Sequence, residues 1–302
     1  MNAERLKEAR LFFRELVEKP PQLPYEATLL PQLFAATREG SSASLGDLTA
    51  LIERSQKLAT KVLSIANSAV YALESTVTSL QRAVALLGLR EVRSIIIMIS
   101  TLSAIKSPAL PAAFDSVRLW KHQLRAALIA KTLAAALIKE AATKELPQED
   151  RLLIAPDEAY AAGLLHDIGM AFLAAGRPKV WQAIEDMRVK ENIAFVEAED
   201  AYWGMDHAVI GAQVLSQWKL PRLLTDPINW HHAAILSPSF TAEAKLLSAA
   251  DHIAHHGLGG NGELPEQAAA LMPEKADVLL LGQEVKRVLA ESPIDAMTGM
   301  AE

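Results

Sequence analysis

The sequence predicts an all-α fold arranged as two helical lobes, and three observations carry that expectation. Apolar residues recur at helical spacing in one segment after another, as with Leu45, Leu48, Leu51 and Ile52. Alternating β-branched runs and Asn-Gly hairpin turns do not recur, so strand signals are nearly absent. The composition is 51% hydrophobic but only 5% aromatic, which suits helices packed through small and aliphatic side chains.

Taken in order, residues 4–18 read as a helix with Leu6, Phe12, Phe13, Leu16 and Val17 among charges, stopped by Pro20-Pro21-Gln22-Leu23-Pro24. Leu29–Arg38 is a further apolar-periodic segment closed by Gly40-Ser41-Ser42, and the next helix starts at Ser44. Lys57–Asn67 continues with Leu58, Val62, Leu63 and Ile65. Ser79 is placed to cap the start of a helix bearing Leu80, Val84 and Leu87, and Gly88 to cap its end. Leu89–Leu102 follows as a buried helix. Ser107-Pro108-Ala109-Leu110-Pro111 is the clearest internal break and marks the lobe boundary. The expected organisation is an N-terminal helix (1–19), a first helical lobe (20–108), a second (109–262), and a C-terminal helix and tail (263–302).

The second half opens with a long helix over Phe114–Lys144, then a polar connection over Ala141–Pro156. Ala159–Phe172 is apolar enough to read as one buried helix. Helices are expected near Lys179–Glu191, His207–Trp218, Leu223–Trp230, Ala242–Ala254 and Ala276–Leu289, with a solvated acidic turn at Glu197–Asp200 and a glycine-rich loop at Gly257–Gly262. Trp120, Trp203, Trp218 and Trp230 read as packing residues.

Composition also excludes. The formal charge of −6 over 302 residues is not that of a nucleic-acid-binding chain. Without cysteine, disulfides and thiolate sites are ruled out, and any metal must be held by His, Asp, Glu and water. The start lacks the layout of a secretion signal, and no uninterrupted apolar run approaches the ~20 residues of a membrane helix. The expectation is a soluble, cytoplasmic protein.

The chemistry-bearing residues centre on Leu164-Leu165-His166-Asp167-Ile168-Gly169. An imidazole and a carboxylate on adjacent residues, inside an apolar run, must be paired or metallated. Alone, the pair is most simply hydrogen-bonded in the core. Its company shifts that reading: His122, His166-Asp167, His207, His231-His232 and Asp251 follow one another at gaps of 44, 41, 24 and 20 residues, each about one helix plus its connection. Helices of a bundle can converge such side chains on one metal centre.

This order resembles the HD superfamily of metal-dependent phosphohydrolases. The flanking residues narrow the likeness: Leu119-Trp120-Lys121-His122, Ala162–Gly169, Asp206-His207-Ala208-Val209-Ile210-Gly211-Ala212 and Trp218-Lys219-Leu220-Pro221 look like the HDOD family. So do Leu23-Pro24, Lys61–Tyr71 with its Asn67-Ser68, and Ser79–Gly88 in the first lobe. The resemblance runs from about Pro20 to His256. It implies a bacterial signalling module, most of whose relatives have no demonstrated activity and many of which have lost HD ligands. This chain keeps a ligand-capable residue at every position of the superfamily's order. It departs from the related HD-GYP phosphodiesterases, since Ala233-Ala234-Ile235-Leu236-Ser237-Pro238 follows the two histidines in place of a Gly-Tyr-Pro loop. Arg118 stands where trinuclear members carry a glutamate.

As a metal set, then, the sequence offers His166, Asp167, His207 and Asp251, with His122, His231 and His232 beside them. One or two divalent ions, iron, manganese or zinc, are the expected cofactor. His122 is either a ligand or an exposed, substrate-side histidine. His231 and His232 are not expected to face one ion, because adjacent helical residues diverge by roughly 100°. His252, His255 and His256 are expected in solvent, and Asn67 as a helix terminator. Two functions follow: a non-catalytic signalling module acting through signalling-protein partners, ranked first, and a metal-dependent phosphohydrolase or phosphodiesterase acting on a nucleotide or cyclic dinucleotide. In the second, Lys121, His122 or His232 are the candidate catalytic residues that would touch phosphate.

Overall fold

The computed structural model describes residues 3–19, 21, 29–37, 41–67, 76–105, 109–143 and 147–292, and among them there is no strand. Leu23-Pro24, Gly40, the Ser68–Tyr71 segment, Ser107-Pro108, Lys144 and the tail beyond 292 lie outside the described residues. Two compact units are present: Gln22–Ala104 with Trp218–Leu220, and the remainder of the chain.

The smaller unit holds α2 (Leu30–Thr37), α3 (Leu45–Glu53), α4 (Gln56–Ala66) and all but the last residue of α5 (Leu80–Ile105). Short polar side chains set its helix starts. The Ser44 hydroxyl accepts from the Asp47 amide and the Asp47 carboxylate accepts from the Ser44 amide, a reciprocal cap. Ser55 caps α4 through the Leu58 amide, and Ser79 caps α5 through the Arg82 amide. Gly88 sits at φ 79°, ψ 165°, so α5 is two helices joined at a left-handed residue where a side chain would be strained. Asn67 does end α4, and does more. Its amide donates to the carbonyls of Leu63 (2.9 Å) and Val77 (2.8 Å), while its side-chain oxygen accepts from the Val77 amide (2.7 Å). One side chain thereby holds the helix end to residue 77, against which Ala66 and Ala83 pack.

The larger unit is built on α6 (Ser116–Ala141), which buries Leu119, Trp120, Leu124, Ile129, Leu133 and Leu137. Against it run α7 (Pro156–Leu165), α13 (Thr241–His256) and α15 (Val278–Glu291). The bundle also contains α1 (Ala3–Glu18), α8 (Ile168–Gly176), α9 (Pro178–Glu191), α10 (Phe195–Tyr202), α11 (His207–Gln217), α12 (Arg222–Trp230) and the short α14 (Glu266–Ala269). Small residues allow a close crossing: a Cβ at Gly163 of α7 would lie 2.5 Å from the Ala127 Cα of α6. Phe12 of α1 stacks on Trp203 at 5.9 Å between ring centroids.

Two expectations are corrected. The apolar run expected as one helix is two, α7 and α8, broken at His166-Asp167. The His166 ring nitrogen Nδ1 meets the Gly163 carbonyl at 2.8 Å, taking an oxygen that the next helical turn would use, and Asp167 leaves helical geometry at φ −97°, ψ 9°. The acidic stretch at 197–200 is not a turn but the middle of α10. Pro156–Gly176 is, among the described residues, the one stretch long and apolar enough to cross a membrane; it is 78% buried within the structure, so its apolar surface serves the core.

Candidate metal centre

Five separate chain segments deliver side chains to one point in the larger unit. His122 comes from the second turn of α6, His166 and Asp167 from the α7–α8 break, and His207 from the first residue of α11. His231 and His232 come from the turn after α12, and Asp251 from α13. Ligand atoms fall into two sets, each within 4.8 Å: His122, His166, Asp167 and Asp251; and Asp167, His207, His231 and His232. Asp167 belongs to both.

In the first set, His122 Nε2 lies 2.9 Å from Asp251 Oδ1, 3.3 Å from Asp167 Oδ2 and 3.1 Å from His166 Nε2. His166 Nε2 is in turn 3.2 Å from Asp167 Oδ1. In the second, His207 Nε2 lies 3.0 Å from Asp167 Oδ1 and 3.0 Å from His232 Nε2, and His231 Nε2 is 3.7 Å from the same Asp167 oxygen. The two neighbouring histidines both reach this set after all: His231 keeps helical dihedrals as the residue that closes α12, and the two ring centroids lie 3.9 Å apart.

The outer partners identify which nitrogens face inwards. His166 Nδ1 donates to the Gly163 carbonyl, His231 Nδ1 to the Ile228 carbonyl at 2.7 Å, and His207 Nδ1 to Glu199 at 2.6 Å. Each bond commits the proton to Nδ1 and turns the Nε2 lone pair to the centre, which is how proteins orient histidine ligands for metal. Glu199 was legible in the sequence only as one acid among several. It is fully buried, and also accepts from the His207 backbone amide at 3.1 Å. Two histidines three residues past the carbonyl they bond, each immediately after a helix, constitute one device used twice.

Lone pairs and carboxylates at 3 Å from one another repel unless protons or cations lie among them. As side chains alone, the cluster traps protons. Burial pulls His166 down, but the Asp167 and Asp251 carboxylates outweigh it and push the imidazole up to about 10. Burial likewise pulls His207 down, but Glu199 and Asp167 outweigh it and hold the imidazole well above its ordinary value. Burial would raise Asp167, yet the His166 charge and the imidazole hydrogen bonds hold it well below the carboxylate range. Glu199 itself is pushed up to about 7 by burial against the pull of His207. His232 is driven well down by burial and by the neighbouring His231 and His207. His231 Nε2 is buried with no hydrogen-bond partner at all. A borderline divalent cation satisfies that orphan and every facing acceptor at once, so the donor set fits such an ion.

The centre forms the floor of a cavity of about 560 Å³. His122, Asp167, His207, His232 and Asp251 line it, under walls that include Phe114, Met170, Trp181 and Phe195. Arg118, one turn before His122 and exposed, lines it too, with Arg188 paired to Glu185 at 2.6 Å and 2.8 Å. Lys121 is exposed and does not line the cavity, which leaves it apart from the other candidate residues. His252, His255 and His256 line it as well; His255 and His256 are exposed, as expected, and His252 is half-buried.

Comparison with known proteins agrees with this architecture. The HDOD domain family matches residues 23–234 of this chain. The chain belongs to the HDOD family. Asp251 and the histidines after it lie beyond the matched segment of the HDOD chain. Among solved structures, an HDOD domain protein of unknown function from Geobacter sulfurreducens superposes with TM-score 0.71 at 23% identity, covering 99% of this chain and 97% of that one. A candidate phosphohydrolase from Shewanella amazonensis SB2B gives 0.64 at 22% identity over 96% and 92%. A candidate signal transduction protein from Marinobacter aquaeolei VT8 gives 0.72 at 23% identity, covering 99% of this chain and 64% of its own. These likenesses establish the shared fold. An uncharacterised protein of Treponema pallidum (strain Nichols) is 24% identical over 216 residues, which span 72% of this chain and 38% of that relative.

The Glu199–His207 bond predicts a specific loss. In Glu199→Gln the amide keeps the size but no longer demands a proton on Nδ1, so the His207 lone pair ceases to be fixed towards Asp167. Divalent-metal affinity is expected to fall about 10- to 100-fold with the helical circular dichroism unchanged, read by competition against a chromophoric chelator.

Proposed function

We propose that this HDOD protein is a metal-dependent phosphoester hydrolase. The observation that carries the reading is Asp167, shared between two complete ligand sets on the floor of an open cavity. His122, His166, Asp167 and Asp251 would hold one ion, and Asp167, His207, His231 and His232 a second; imidazole and carboxylate donors suit iron, manganese or zinc. Bound there, divalent ions supply Lewis-acid polarisation of a phosphoryl oxygen and acidification of water. The chain's own residues do the rest. Glu199, the Gly163 carbonyl and the Ile228 carbonyl hold three imidazoles in the ligand tautomer. Arg118 places a cation at the mouth for an anionic substrate, and Phe114, Trp181 and Phe195 exclude water beside it. A nucleotide is of a size and polarity that such a cavity admits.

A second reading, signalling through protein contacts, is favoured by one feature. The turn directly after His231-His232 exposes Ile235 and Leu236, at 74% and 72% of their surface. In that reading metal occupancy sets the shape of a contact turn for a signalling-protein partner in the cytoplasm, without turnover.

Metal content and turnover separate the two. Protein purified without chelator is expected to carry up to two equivalents of divalent metal and to cleave a phosphomonoester or phosphodiester such as bis(p-nitrophenyl) phosphate. Asp167→Ala should lose both while its helical content survives. Metal without turnover on any phosphoester of a broad panel would abandon the hydrolase for the signalling reading.

A further inference from the structure

The C-terminal end of α13 carries three histidines, His252, His255 and His256, which line the same cavity and lie outside both ligand sets. Two of them engage Nδ1 with a carbonyl four residues back within the helix, where the buried centre uses the carbonyl three residues back. His256 Nδ1 meets the His252 carbonyl at 3.0 Å, and His255 Nδ1 meets the Asp251 carbonyl at 3.2 Å and Asp251 Oδ1 at 3.0 Å. Each bond commits a proton to Nδ1 and leaves an Nε2 lone pair for another partner. His252 and His256, one helical turn apart, stack at 4.1 Å between ring centroids with their planes 26° apart. Imidazoles at i and i+4 on one helix face are the spacing with which a helix offers two nitrogens to one ion. This is the C-terminal end of a 16-residue helix, where the backbone carbonyls favour positive charge.

The three are also joined to the floor. The His255 ring lies 4.0 Å from that of His122, and His255 shares Asp251 Oδ1 with His122 and His166. Imidazoles thus run without a gap from the surface, where His255 keeps 52% of its side chain exposed, to the buried set, where His166 keeps none.

We propose that His252, His255 and His256 form a capture site for a borderline divalent ion, Zn²⁺, Ni²⁺ or Cu²⁺, which passes inwards through Asp251 and His122. The path is short because the three histidines line the same cavity whose floor carries the two ligand sets. The capture step stands on the surface histidines alone; the delivery step rests on the metal-dependent reading above.

The test uses the untagged full chain and the double variant His252→Ala/His256→Ala, which spares every residue of the two buried sets. On immobilised Ni²⁺ the wild type is expected to be retained and the variant to elute at least ~10-fold earlier in competing imidazole. Equal retention of the two overturns the capture site. Chelator-stripped protein given Zn²⁺ is then followed by metal content against time. Delivery predicts slower loading in the variant with the same final stoichiometry, and equal loading rates overturn it. A wild type that takes up no buried metal sinks the hydrolase reading and delivery with it, while retention still decides the capture site.

Discussion

Gly169→Ala is expected to cost about 3 kcal/mol or more of stability, at the upper end of what overpacking a core does, whereas Gly211→Ala is expected to lie within about 1 kcal/mol of the parent. Both glycines stand where α8 and α11 cross, yet they are not equivalent. A Cβ on Gly169 would sit 1.9 Å from the His207 carbonyl oxygen and 2.7 Å from the Gly211 amide nitrogen, both backbone atoms that move only if a helix moves. A Cβ on Gly211 would meet the Gly169 amide nitrogen at 3.2 Å, a contact relieved by a few tenths of an ångström. For Gly211 the helix-propensity gain of about 1 kcal/mol is comparable with that relief; for Gly169 nothing of that size compensates. The effect reaches the metal centre as well as the fold. Asp167 immediately precedes α8 and His207 opens α11, so separating the helices lengthens the 3.0 Å contact between Asp167 Oδ1 and His207 Nε2. Urea unfolding and metal content of the two variants check this. A Gly169→Ala protein as stable and as metal-loaded as its Gly211→Ala counterpart would show that the crossing is not as tight as these distances require.

That crossing also gives a physical sense to two motifs that the sequence displays only as strings. The glycine two residues after Asp167 and the glycine four residues after His207 are the contact through which their helices bring the aspartate to the histidine. Much else was legible because it is local. Ser44 with Asp47, Ser79 and Gly88 act within three or four residues of themselves, and caps of that range can be read from order alone. His166, Asp167, His207 and Asp251 stood out as polar groups in apolar surroundings, and the structure brings their ligand atoms together.

The remainder depends on facts that spacing does not contain. Hydropathy carried the helix through His166-Asp167, because nothing in an apolar pattern reports that an imidazole will capture the carbonyl three residues back. Glu199 was lost among Glu197 and Asp200. Only the fold distinguishes them: Glu197 caps the Ala194 amide, Asp200 is exposed, and Glu199 turns inwards eight residues before the histidine it fixes. Helical geometry separated His231 from His232 by counting backbone direction alone, whereas the reach of the two rings brings a nitrogen of each to the set that contains Asp167 and His207. For the three histidines near the C-terminal end of α13 the neighbouring glycines suggested solvent, and His255 and His256 are exposed; that all three also line the cavity depends on residues far away in sequence.

The protons held by the centre make a second large effect, on pH. His166 is raised to about 10 from an ordinary 6.5, so the stability drawn from its pairing with Asp167 and Asp251 is complete below pH 6.5 and disappears as pH climbs through about 10. Asp167 and Asp251 are held well below 3.8, so their contribution is complete above that value and is lost as pH falls beneath it. With protons alone in the centre, these groups favour the fold most between about pH 4 and 6.5. A metal reverses the slope. It needs the Nε2 lone pair of His166, which a proton occupies up to pH 10, so each displaced proton makes affinity rise about tenfold per pH unit over that range. From pH 6 to pH 8 one proton amounts to about 100-fold, or about 3 kcal/mol. Unfolding of the chelator-treated protein with and without Mn²⁺, at equal free ion concentration, is therefore expected to show a gap that widens across those two units. Calorimetry in buffers of different ionisation enthalpy should register proton release on binding. His166→Gln, which has no proton to yield, should reduce both signals, with His207 left as a second source of displaced protons. A stabilisation by Mn²⁺ that stays constant or shrinks as pH rises would mean that the ion binds away from His166 and Asp167.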